Sequence, residues 1–403
     1  MTTDTSKAAR DQAAISDRKA SWGGVVSLGI GVFALVMAEF LPASLLSPIA
    51  AGLGVSEGVA GQSVAITAVV AAIAGLTIPV LLPRLDRRHL VISLSVLAVI
   101  SDLLVAAAPV FTVLLVARVL LGVAIGGFWA LAISIVSQLV PPAKLGRGVS
   151  VVQVGVSLAT VAAVPLGTFL GELWGWRAVF VLAAGVGVIA ILIQVFTLPS
   201  VRSTGAPGFR PLFATLRSRL LLLGLVAMAL VGAGHFAGFT YIRPAASGIG
   251  DAQPDQIALL LVVYGVAIFI GNLLAGPLAD KRMRLAVLLF PAVLGAAMIT
   301  FALAGGTTIG LLAAIVFWGL GFGGVPTAVS TWLGRAEPDR LESVGGLQAA
   351  IFQLAIALGA LIGGLLVDGV GVQAVFIIGG ISAIVGAVVI ASVRLGAPAR
   401  VSA

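Results

Sequence analysis

Long apolar stretches separated by short charged clusters fill this chain from Trp22 almost to its end. A helix needs about 20 apolar residues to cross the hydrocarbon core of a bilayer. The pattern predicts an all-α integral membrane protein with twelve transmembrane helices, numbered here as spans 1 to 12. They lie at 22–46, 58–82, 89–108, 111–140, 145–171, 177–198, 218–242, 256–279, 284–304, 307–333, 342–367 and 371–393.

The basic residues set the orientation of these spans. Of the 23 Lys and Arg residues, twenty lie in the tails and in alternate connections that share one side of the membrane. Arg177 and Arg243 lie on the other side, and Arg118 lies inside span 4. Connections rich in Lys and Arg stay in the cytoplasm. We therefore expect both termini in the cytoplasm.

The composition excludes several classes of protein. Hydrophobic residues make up 60% of the chain and charged residues 9%, against about 25% charged residues in soluble domains. The net charge of +8 sits in the short connections, so it indicates topology rather than nucleic-acid binding. With no cysteine and two histidines there is no basis for a disulfide framework or a Cys/His metal cluster, and we expect no cofactor. No removable signal peptide is indicated before Trp22.

The chain divides into two similar halves. We predict an N-terminal tail at 1–21, bundles at 22–198 and 218–394, a cytoplasmic linker at 199–217 and a tail at 395–403. A glycine cluster at 122–127 recurs at 319–324, an offset of 197 residues, and "RLDRR" recurs as "LADKR" at an offset of 194. A duplicated six-helix unit explains both offsets.

Several segments resemble the major facilitator superfamily. "GPLADKR" at 276–282 resembles its cytoplasmic loop motif, "RVLLG" at 118–122 its arginine motif in helix 4, and 164–180 its antiporter-associated region. The first-half loop lacks the leading glycine of the motif, and Val164 stands where antiporters usually have glycine. The resemblance implies two six-helix bundles around a central cavity. It also implies gating roles for Asp86, Arg87, Asp280, Arg282 and Pro165.

Other segments narrow the resemblance to the drug:H⁺ antiporter type and its exporters of purine ribonucleosides. These are "EFLPASLLSPIAAGLGVSEGVAGQSV", "GGFWALA", "FTYIRP" and "STWLGR". The resemblance implies proton-coupled export of purine ribonucleosides such as inosine and guanosine, by alternating access, from a bacterial inner membrane. A multidrug or sugar exporter of the same superfamily is the alternative. No enzyme is expected, since no nucleophile, metal cluster or acid pair gathers at one depth.

Four ionisable residues lie at membrane depth, namely Glu39, Asp102, Arg118 and His235. A charge there costs at least about 2.5–3.5 kcal/mol, so each predicts a function. Glu39 lies seven residues before the predicted end of span 1, and Arg118 lies seven residues after the start of span 4. The equal depth predicts a pair in which Glu39 carries the coupled proton, and a permanent structural ion pair is the alternative. Pro42 allows local bending beside Glu39.

Asp102 and His235 are further candidates for proton coupling. A structural role is equally compatible with Asp102 on span 3. His235 has three possible roles: a hydrogen bond to a purine, a second proton site, or a hydrogen-bonded core histidine.

A purine requires flat apolar surfaces and a few donors and acceptors. The predicted substrate-binding residues are His235 with Phe236, Phe239 and Tyr241 on span 7, and Phe128, Trp129, Gln153, Tyr264, Asn272, Trp318, Gln348 and Gln353 on other spans. Trp174 and Trp332 fit an interfacial belt instead. The expected partners are a small-molecule substrate, protons and membrane lipid, without nucleic acid, and we expect a monomer.

Overall fold

The computed structural model describes residues 21–82, 84–141, 145–201, 216–248, 253–304, 307–337 and 341–393. Twelve α-helices make up this part of the chain. They are α1 (Trp22–Leu53), α2 (Glu57–Leu81), α3 (Arg87–Ala107), α4 (Phe111–Leu139), α5 (Leu145–Trp174), α6 (Trp176–Thr197), α7 (Arg219–Thr240), α8 (Ile242–Gly248), α9 (Pro254–Ala304), α10 (Thr308–Ala336), α11 (Leu341–Gly369) and α12 (Val372–Ser392).

The helices account for the twelve predicted spans. Within the described ranges, ten helices are long and apolar enough to cross a membrane. The two parts of α5, 154–163 and 165–174, are bent by 42° and form an eleventh crossing. The 51-residue α9 contains a non-helical residue, Arg282 (φ −143°, ψ 65°), which separates spans 8 and 9. Counting α9 twice gives twelve crossings, as predicted.

Three boundaries differ from the prediction. Helix α1 continues seven residues beyond the predicted end of span 1, with Pro42 and Pro48 inside it. Spans 8 and 9 form one element, because only Arg282 departs from helical geometry. Span 7 is followed by the short α8. Both predicted tails up to Ala20 and from Arg394, and the linker from 202 to 215, lie outside the described residues.

The two halves repeat the same packing. In the first half α1 packs on α5 and α6, and α4 packs on α2 and α3. In the second half α7 packs on α11 and α12, and α10 packs on both legs of α9. The repeat inferred from the sequence offsets is thus matched by an internal repeat of helix pairs.

The paired glycine clusters explain how two of these contacts become so close. A Cβ added at Gly126 of α4 would lie 2.1 Å from the carbonyl oxygen of Ala71 in α2, and one at Gly323 of α10 would lie 2.0 Å from that of Ile268 in α9. Only glycine permits this approach. Small residues at such crossings let membrane helices associate through backbone contact.

Gly126→Ala should therefore destabilise the fold by about 1–3 kcal/mol, because the new methyl group forces α4 away from α2. Gly185→Ala is the matched control, since a Cβ there meets nothing within 4 Å. Thermal unfolding in detergent, followed by tryptophan fluorescence, should show a lower Tm for the first variant alone. Equal Tm values for the two variants would contradict this account of the glycine cluster.

The halves meet through α2 with α11 and through α5 with α9. The described polar contacts between the halves cluster from the depth of Glu39 to the outer ends of the helices. Ser56 and Gly58 at the start of α2 donate to Asp368 near the end of α11, at 2.6 and 3.1 Å. The structure is therefore closed on the side of the α1–α2 and α11–α12 connections, which the charge pattern predicts to face outwards.

Candidate substrate and proton site

Glu39 lies at the contact between the two halves. It is 6% exposed and sits fourteen residues before the end of α1, about 21 Å along the helix. Its Oε1 accepts a hydrogen bond of 3.4 Å from Nε2 of Gln353 on α11, in the opposite half. The sequence prediction placed Glu39 about 10 Å from the helix end, which is wrong because α1 continues to Leu53.

Arg118 reaches the backbone of α1 rather than the Glu39 carboxylate. Its guanidinium donates to the carbonyl oxygens of Ala38 (2.9 Å), Glu39 (3.3 Å) and Ser63 (3.3 Å). The carbonyl of Ala38 lacks its usual helical donor because residue 42 is proline, which has no N–H. Glu39 and Arg118 lie side by side, as the predicted equal depth requires, but the contact is to the Glu39 carbonyl oxygen. The predicted side-chain pair is wrong for the described residues, since Arg118 satisfies backbone carbonyls instead.

Asp102 forms a second buried carboxyl group near Arg118. It is 3% exposed, and its Oδ1 has no hydrogen-bond donor within the described part of the chain. It lines a small cavity between α1, α3 and α6, together with Gly31, Ser95 and Gly187. Arg118 attracts both carboxylates electrostatically. The arginine and the two acids are neutral overall when one acid carries a proton.

His235 is held in an aromatic cluster of the second half. The indole N–H of Trp318 donates to its Nδ1 at 3.0 Å. Its ring stacks on Phe322, with centroids 3.5 Å apart and an angle of 8°, and more loosely on Phe239 at 5.6 Å. Because an indole nitrogen only donates, the neutral imidazole must carry its hydrogen on Nε2.

Aromatic residues that the sequence analysis did not select connect this cluster to Glu39. Phe40, next to Glu39, meets Phe239 edge to face at 5.6 Å across the two halves. Phe352, next to Gln353, contacts Phe236 at 5.4 Å. Their positions beside Glu39 and Gln353 were the signal in the sequence.

The structure brings together only some of the predicted substrate residues. Phe236, Phe239 and Trp318 contact His235, and Tyr264 packs on Phe239 and Trp318 behind them. Gln353 contacts Glu39. The other predicted substrate residues lie away from this cluster. Phe128 and Trp129 are buried and half-buried within the first half, and Tyr241 lies at the contact between the halves near the start of α2. Asn272 accepts a hydrogen bond from Thr327, Gln348 donates one to Ser330, and the side chain of Gln153 is outside the described residues.

The two tryptophans predicted for the interfacial belt differ in their exposure. Trp174 is 61% exposed at the end of α5, as an interfacial residue should be. Trp332 is 1% exposed and packs where a Cβ of Gly224 would lie, so its assignment to the belt is wrong.

Asp86, in the loop between α2 and α3, forms hydrogen bonds with Ser200 and Val201, which follow the last helix of the first half. It caps α3 by accepting from the N–H of Arg88 (2.8 Å), and it also accepts from the Ser200 hydroxyl and the Val201 N–H. Burial opposes ionisation of this carboxyl group, but these hydrogen bonds outweigh it and lower the pKa of Asp86 below its ordinary value.

The other predicted gating residues lie at bends or at helix ends. Arg87 is buried and donates to the carbonyl of Leu82 at 3.2 Å. Asp280 pairs with Arg335 at 3.3 Å, and both are exposed. Arg282 interrupts α9, and Pro165 lies at the bend of α5.

Comparisons with known proteins agree with this architecture. The family model of the Major Facilitator Superfamily matches residues 28–333 and 228–402. The chain belongs to the major facilitator superfamily. The purine ribonucleoside efflux pumps NepI of Escherichia coli K12 and of Shigella dysenteriae serotype 1 are each 40% identical to it over 372 residues, 92% of this chain and 94% of theirs.

A solved structure shares the fold. A bacterial homologue of the human lysosomal transporter Spinster, in an inward-facing and unoccupied conformation, superposes with a TM-score of 0.68. The match covers 92% of this chain and 94% of that one, at 16% sequence identity. This likeness shows the fold; the family match and the 40% identical relatives show that the chain is a multi-pass membrane transporter of this superfamily.

Proposed function

We propose that this transporter exports purine ribonucleosides, such as inosine and guanosine, in exchange for protons. The observation that supports this proposal most directly is the position of Glu39. It is a buried carboxyl group whose hydrogen-bond partner, Gln353, belongs to the other half. A charge at such a contact is costly unless it is paired or neutralised. The names of the relatives that cover nine-tenths of the chain support the choice of purine ribonucleosides as the substrate.

Glu39 is suited to exchange a proton because Arg118 is occupied elsewhere. The arginine binds backbone carbonyls freed in part by Pro42, so its charge lies nearby without fixing the carboxylate in a direct pair. Glu39 takes up a proton from outside while nucleoside leaves, and releases that proton towards the cytoplasm after the halves rock about the site. Asp102 supplies the charge that balances Arg118 while Glu39 is protonated.

His235 belongs to substrate recognition rather than to proton coupling. Protonation of its Nδ1 would break the hydrogen bond from Trp318. A neutral ring offers one N–H donor among flat aromatic faces, and a purine presents ring-nitrogen and exocyclic acceptors to such a donor. Phe40 and Phe322 add stacking surfaces that fit a planar base.

The remaining features of the proposal follow from the topology. The protein works as a monomer in the inner membrane, with both termini in the cytoplasm, and is driven by the proton gradient without a cofactor. The twenty basic residues assigned to one side support this orientation.

Purified protein in liposomes should accumulate inosine and guanosine against their gradients when a pH gradient is imposed, and a protonophore should abolish the accumulation. Arabinose and chloramphenicol, tested in the same vesicles, represent the sugar and multidrug alternatives. Protein-free liposomes are the control. Proton-driven movement of either alternative compound without any response to a purine nucleoside would reject the proposed substrate.

A further inference from the structure

Arg243 of the second half inserts into the first half at the outer contact. It lies on α8, is 7% exposed, and forms an ion pair with Glu172 of α5. Its Nη1 also donates to the carbonyl oxygen of Ser44 in α1 at 2.9 Å. A buried arginine requires such partners, because an unpaired charge at this depth is costly.

The carbonyl of Ser44 is available because α1 contains a second proline four residues later. Pro48 has no N–H, so it cannot complete the usual helical hydrogen bond to Ser44. The same relation links Pro42, Ala38 and Arg118 six residues earlier in α1. Each proline in α1 thus frees one carbonyl, and each freed carbonyl is occupied by a buried arginine.

The two arginines differ in one respect that concerns function. Arg118 lies in the same half as α1, so its contact persists when the halves move. Arg243 lies in the opposite half, so its contacts to Ser44 and Glu172 must break whenever the outer side opens. The neighbouring contacts of Tyr241 and Asp368 with the start of α2 must break as well.

We infer that Arg243 is a further positioning residue of the transport cycle. Bound to the Pro48-freed carbonyl of Ser44 and to Glu172, it holds the outer side closed while substrate enters from the cytoplasm. The role of this closure in nucleoside export rests on the proposed function. The closure itself is a property of the two halves and can be measured without any substrate.

The absence of native cysteine allows the closure to be measured directly. Spin labels on cysteines introduced at Val110 and Val370, which are exposed beyond the outer ends of α3 and α11, report the distance between the halves. We expect Arg243→Gln to shift the distance distribution to longer values in membranes without substrate. Arg243→Lys should produce a smaller shift. Glu172→Gln should shift it in the same direction.

Pro48→Ala tests the proline directly, because alanine restores the N–H that completes the helical bond to Ser44. It should lengthen the same distance to a smaller extent, since a carbonyl oxygen has two lone pairs. Pro42→Ala is the matched control and should leave the distance unchanged. Unchanged distances in folded Arg243→Gln protein would overturn the inference, and a shift in that variant without one in Pro48→Ala would overturn the role given to Pro48.

The two proposals fail in different ways. If the labelled wild-type protein transports no nucleoside but Arg243→Gln still opens the outer side, only the proposed function is rejected. If nucleoside transport is intact and the distances do not respond to Arg243, only the inference about Arg243 is rejected.

Discussion

Glu39→Gln protein in liposomes is expected to lose all accumulation of inosine driven by an imposed pH gradient. Glutamine keeps the size and the hydrogen-bonding capacity of a protonated glutamic acid, so the contact with Gln353 and the fold should be retained. It has no exchangeable carboxyl proton, so movement of the two halves can no longer be linked to proton movement. Accumulation should fall to the level of protein-free vesicles.

Asp255→Asn is the matched control for this experiment. It removes an exposed carboxylate at the start of α9 that takes no part in the described hydrogen bonds between the halves, and it should retain proton-driven accumulation. Thermal unfolding of both variants shows whether either has lost its fold. Uphill transport by folded Glu39→Gln protein would show that another group, Asp102 first of all, carries the proton.

The topology was predictable because the membrane imposes it. Apolar length and the position of Lys and Arg are governed by transfer free energies that act on each segment by itself. The duplicated packing followed from the recurrence of the glycine cluster in both halves, since a glycine that permits backbone contact in one half does so in the other. These features required no knowledge of which helices are neighbours.

The partners of the buried charges could not be predicted in the same way. Counting residues from helix ends gives a depth but not the direction in which a side chain points. Counting therefore placed Arg118 beside Glu39, but it did not give the backbone carbonyls that Arg118 binds. Gln353 lies 314 residues from Glu39, and only the packing of α1 against the second half brings the two together.

The predicted end of span 1, at Leu46, was seven residues too early for a related reason. Two prolines and two serines in "LPASLLSP" indicate a break near Leu46. The helix continues because Arg118 and Arg243 supply the donors that the prolines lack. A proline in a membrane helix is tolerated when neighbouring groups satisfy the freed carbonyl, and those groups come from distant parts of the chain.

Removal of Arg118 should be the most destabilising single change in the first half. Arg118→Ala leaves the carbonyls of Ala38, Glu39 and Ser63 without this donor and removes the charge that balances Glu39 and Asp102. Truncation of one member of a buried charged group costs about 3–5 kcal/mol. We expect a strongly reduced yield of folded protein and no measurable transport.

A second substitution separates the two functions of Arg118, which donates hydrogen bonds to backbone carbonyls and supplies a positive charge. Pro42→Ala restores the N–H that completes the helical hydrogen bond to Ala38. Added to Arg118→Ala, it should recover part of the thermal stability, about 1 kcal/mol for one hydrogen bond, but none of the transport, because the positive charge is still missing. Arg118→Lys should show the reverse, with some transport at lower stability, since it keeps the charge and loses the planar array of donors. Recovery of transport in the double variant would show that Arg118 acts only through the backbone of α1.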